Sequence, residues 1–154
     1  MTHEIPTVPQ DDPAETIMAA LAHGLTGHPE KGAALFEPFI FGGHATTLGL
    51  CAALAETTVR LDRQTLPKDG AFGLLVLDAN TGRHSDINTL PPGIRFAAQF
   101  TAAWANKDRD TAHDLFDALV HTGSEEAADA LAVGIRALYD MAVTTLREQT
   151  GRTA

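Results

Sequence analysis

The sequence predicts an all-α fold: a bundle of five or six helices with one short extended segment or hairpin near residues 72–88. Three observations carry this. Apolar residues recur at three- and four-residue steps in two long stretches, 44–64 and 124–149. Alanine, the best helix former, supplies 26 of the 154 residues. Only one run, Phe72-Gly73-Leu74-Leu75-Val76-Leu77, has the composition of a strand, and no convincing partner strand follows it.

Residues 1–11, with two prolines and no apolar period, read as a flexible arm ahead of a single helical domain over 12–150. Asp12-Pro13-Ala14-Glu15 is a helix start: Asp12 caps, Pro13 suits the first helical position, and Glu15 completes a capping box. Ile17, Leu21 and Leu25 give this helix its core stripe, and Gly24 and Gly27 end it. Pro29 opens a short second helix carrying Leu35 and Phe36, which Pro38 is expected to stop, leaving Phe39-Ile40-Phe41 as an apolar connector. After Gly42-Gly43 a long helix is expected to reach about Gln64. It has Leu50, Leu54 and Leu61 on one stripe, flanked by Cys51, Ala55 and Thr58.

A helix over 91–107 carries Phe96, Phe100 and Trp104 as an aromatic ridge at four-residue spacing. A short polar turn, Asn106-Lys107-Asp108, leads to a helix with Ala112, Leu115, Phe116 and Leu119 on one face, so these two helices form an antiparallel pair. The last helix starts at a Ser124 cap with Glu125 and Glu126 in its first turn. Leu131, Ile135, Leu138, Ala142 and Thr145 form one stripe and Val133, Ala137 and Met141 a second. Arg147 and Gly151 mark its end. The 44–64 and 124–149 helices, the most broadly apolar, are expected at the centre of the bundle.

The turn from Asn106 to Asp110, followed by Ala112-x-x-x-Phe116, resembles the hairpin turn of tetratricopeptide repeats. Beyond the turn the likeness fails. Phe100 stands where that family has a small residue, Ala103 where it has an aromatic, and Ser124 where it has a closing proline. Without a second copy in the chain, the resemblance implies a helix hairpin and nothing more.

The totals narrow the function classes. A net charge of −9 with three lysines leaves no basic stripe for nucleic acid or for an anionic membrane. No apolar run approaches the roughly 18 residues of a membrane span, and the N-terminus lacks the basic-then-apolar order of a signal peptide, so a cytoplasmic location is expected. The single cysteine, Cys51, permits no internal disulfide and reads as a buried thiol.

No motif assigns an activity, and no catalytic residue or cofactor is predicted. His84-Ser85-Asp86 holds the residue types of a hydrolase triad, but neighbours in sequence cannot converge as a triad must. His44 and Cys51 share a helix face, yet seven residues separate their backbones by about 10 Å, too far for a nucleophile–base pair. His113, Asp117 and His121 recur at four-residue steps, the one arrangement with metal-ligand character, although they lie opposite the apolar face of their helix. The leading expectation is an interaction or assembly module that self-associates or meets a protein partner. The alternative is a small-molecule site under the 80–93 loop, lined by His84, Asp86, Arg95 and Trp104.

Overall fold

The computed structural model describes residues 12–63 and 90–153. These are all-α: α1 (Pro13–Leu25), α2 (Pro29–Ala34), α3 (Glu37–Phe41), α4 (His44–Arg63), α5 (Pro92–Ala105), α6 (Arg109–Thr122) and α7 (Glu125–Thr153). Taking α2 and α3 as one broken segment gives six helices among the described residues, within the five or six expected. The extended segment expected near 72–88 and the arm at 1–11 lie outside the described residues. No described helix is long and apolar enough to cross a membrane. Packing divides the chain into two compact units at Leu50–Cys51, inside α4.

In the first unit, Asp12 caps α1 by accepting a hydrogen bond from the Ala14 amide at 3.2 Å, with Pro13 in the first turn. Ile17, Ala20, Leu21 and Gly24 are buried, and α1 packs on α2. The expectation for Pro38 is corrected. It does not leave a connector; it sits in the first turn of α3. A proline lacks the amide that a helix interior needs, but the first turn leaves that amide without a partner in any case. The break between α2 and α3 falls instead at Leu35–Phe36, where the Phe36 ring is buried and meets Phe39 edge-on at 6.3 Å. Two hydroxyls at the start of α4 fasten α3 in place. Thr46 Oγ1 donates to the Phe39 carbonyl at 2.8 Å, and Thr47 Oγ1 lies within 3.1 Å of the same oxygen.

In the second unit, α5 is the central element. Gly93, Phe96, Ala97, Ala98, Phe100, Thr101, Ala103 and Ala105 are all buried, so this helix is covered on nearly every side. It packs on both α6 and α7, more extensively on α7. The two helices expected at the centre are buried as well: Leu54, Ala55 and Val59 on α4 and Leu138, Tyr139 and Ala142 on α7 are at most 1% exposed. Small side chains on α5 permit the close packing: six of its fourteen residues are alanine or glycine, and Gly93 on α5 with Gly134 on α7 sets the crossing itself. A Cβ on Gly93 would lie 2.6 Å from the Ala130 carbonyl oxygen, and one on Gly134 would lie 2.8 Å from Phe96 Cδ2. The α5 and α7 backbones therefore approach more closely than any larger residue allows at this point.

The α5–α6 hairpin is as expected. The Lys107 amide reaches Trp104 O and the Asp108 amide reaches Ala103 O, closing α5. Lys107 takes a φ of 62°, which a side-chain-bearing residue seldom adopts. Asp108 then caps α6, accepting from the Thr111 amide at 3.1 Å and the Thr111 hydroxyl at 2.6 Å. Gly123, left-handed at φ 66°, ends α6, and Ser124 caps α7 through the Ala127 amide at 3.0 Å.

On α7 the stripe Ile135, Leu138, Ala142 and Thr145 is buried, with Leu131 half-buried. The second stripe is corrected at Val133 alone, since Ala137 and Met141 are half-buried. Val133 is 46% exposed, and the core face widens the other way, through the fully buried Tyr139 and through Val143. Gly151 does not end the helix, which continues to Thr153.

Candidate functional site

The sequence candidates separate into four groups. His84 and Asp86, with most of the 80–93 loop, lie outside the described residues. Arg95 and Trp104 are both on α5, but nine residues at about 100° each place them on opposite faces of the helix. They do not line one pocket. Arg95 is half-buried, and its Nη2 donates to the Leu90 carbonyl at 3.2 Å, which holds the chain at the entry to α5.

Trp104 is the better-defined centre. Its indole Nε1 donates to Glu56 Oε1 on α4 at 2.8 Å, a hydrogen bond strengthened by the carboxylate charge. One neighbour is the Phe100 ring, nearly parallel at 9° with centroids 6.0 Å apart; Phe100 in turn meets Phe96 at 5.4 Å. Another is the Arg109 guanidinium, 4.8 Å from the indole centroid, a cation–π contact. The side chain thus joins α4, α5 and the start of α6. Its single polar atom is already engaged within the chain, which makes Trp104 a packing residue among these helices.

His113, Asp117 and His121 keep one face of α6, as their spacing requires, with Ala112 and Phe116 buried on the other side. His113 and His121 are exposed. Arg109, Asp110, His113, Asp114 and Asp117 line a shallow depression there. All five belong to one helix, and among the described residues no second element lines the depression, whereas ligand sites are concave and draw on several elements. Among the described residues, no three His, Cys, Asp or Glu side chains are grouped to hold a metal ion.

Cys51 is fully buried in α4, and burial pushes its thiol up to about 12. A thiol held in its protonated form is neither nucleophile nor metal ligand. His44, the other half of that considered pair, is exposed seven residues earlier.

Sequence reasoning missed the outward apolar side chains. Phe41 is 82% exposed at the end of α3, beside Ile40, and Met18, Ile94 and Val133 are also exposed. The signal for Phe41 was available in Pro38: a proline that starts a helical turn fixes where the next three side chains point. No family model, no curated protein and no solved structure matches the chain.

Proposed function

We propose that this chain is an interaction module that assembles with a second copy of itself through the α3 surface. The observation that supports it is Phe41, 82% exposed on a segment that is otherwise firmly held. Burying a phenylalanine side chain contributes about 1.5–3 kcal/mol, and here that contribution is unrealised within the chain. Interface centres are enriched in aromatic residues for this reason. The hydroxyls of Thr46 and Thr47 and the Phe36–Phe39 contact fix α3 before any partner arrives, so little ordering is required on binding. A twofold contact is the simplest arrangement in which one such patch covers its own copy.

Size-exclusion chromatography with light scattering tests this. The unaltered chain is expected at twice the 16.3 kDa of one copy. Phe41→Glu is expected at the mass of one copy, with unchanged helical circular dichroism. An unaltered chain that stays monomeric across micromolar concentrations overturns the proposal. A Phe41→Glu variant that still dimerises removes α3 as the contact surface.

A further inference from the structure

We draw no further inference here: the strongest candidate, the exposed apolar patch of Ile94 on α5 and Val133 on α7 beside the Gly93–Gly134 crossing, is an unpartnered helix face with nothing in the structure to show what covers it.

Discussion

Replacing Gly93 with alanine tests the close crossing of α5 and α7 directly. In a helix, alanine is ordinarily better than glycine by about 0.5–1 kcal/mol, because glycine loses more backbone freedom on folding. At Gly49 in α4 nothing lies within 4 Å of the added Cβ, so Gly49→Ala is expected to gain that amount. At Gly93 the same methyl group would meet Ala130 O at 2.6 Å, Val133 Cβ at 2.7 Å and Val133 Cγ1 at 2.8 Å. Ordinary contact begins at 3.4 Å, and a carbonyl oxygen in the second turn of α7 is fixed by the helix and cannot rotate away, so the two helices must separate. Overpacking of this kind costs about 1–3 kcal/mol. The two variants should therefore differ in sign and by roughly 1.5–4 kcal/mol. Urea unfolding followed by far-ultraviolet circular dichroism reads this as opposite shifts of the midpoint. With a slope near 2 kcal/mol per molar, a loss of 2 kcal/mol moves the Gly93→Ala midpoint down by about 1 M. A Gly93→Ala chain as stable as the unaltered one would show that the helices do not meet at that distance.

Cys51 in the folded chain is expected to resist a thiol reagent at pH 8 and to react fully once urea unfolds it; rapid labelling of the native chain would contradict its burial. Because the folded thiol titrates at about 12 and an ordinary one near 9.0, the unfolded state ionises first, so stability is expected to fall as pH rises between those values. Asp108 is held below its ordinary 3.8, chiefly by the Thr111 hydroxyl and then by the Thr111 amide. The contribution of that cap is therefore complete above the ordinary carboxylate range and is lost as pH falls through the lowered value. In an NMR titration, Thr111→Ala should return Asp108 toward 3.8; an unchanged midpoint would exclude the hydroxyl as the cause. Thr101 is fully buried on α5, and its Oγ1 has no hydrogen-bond partner among the described residues. Thr101→Val, which removes the hydroxyl and keeps the shape, is expected to leave stability unchanged or raise it by about 1–2 kcal/mol, and a loss of that size would reveal a bond to that oxygen.

What could be read in the sequence was what depends on near neighbours. The caps at Asp12 and Ser124 each bond an amide two or three residues away, so residue type and spacing are enough to place them; Asp108, read only as part of a polar turn, caps α6 in the same way. The aromatic ridge of Phe96, Phe100 and Trp104 follows from helical periodicity in the same way. Pro38 and Gly151 were misread because each is ambiguous: proline is excluded from a helix interior yet favoured at its first turn, and glycine near a helix end lowers stability without ending the helix. The α5–α7 crossing was not legible at all, since Gly93 and Gly134 acquire their meaning only from each other's helix. For the candidate site, the opposite placement of Arg95 and Trp104 was contained in their nine-residue spacing. The hydrogen bond to Glu56 was not, because it joins residues 48 apart in the sequence.

Trp104 is the only tryptophan in the chain. Its emission is therefore an intrinsic optical gauge of one place, where the second half of α4 meets α5 and the start of α6. A carboxylate at the indole nitrogen and a guanidinium over the ring give that emission a particular electric environment. Detachment of α4 alone would alter the colour of the emission while most of the helical signal remained, so the two signals together distinguish partial opening from complete unfolding without any added label.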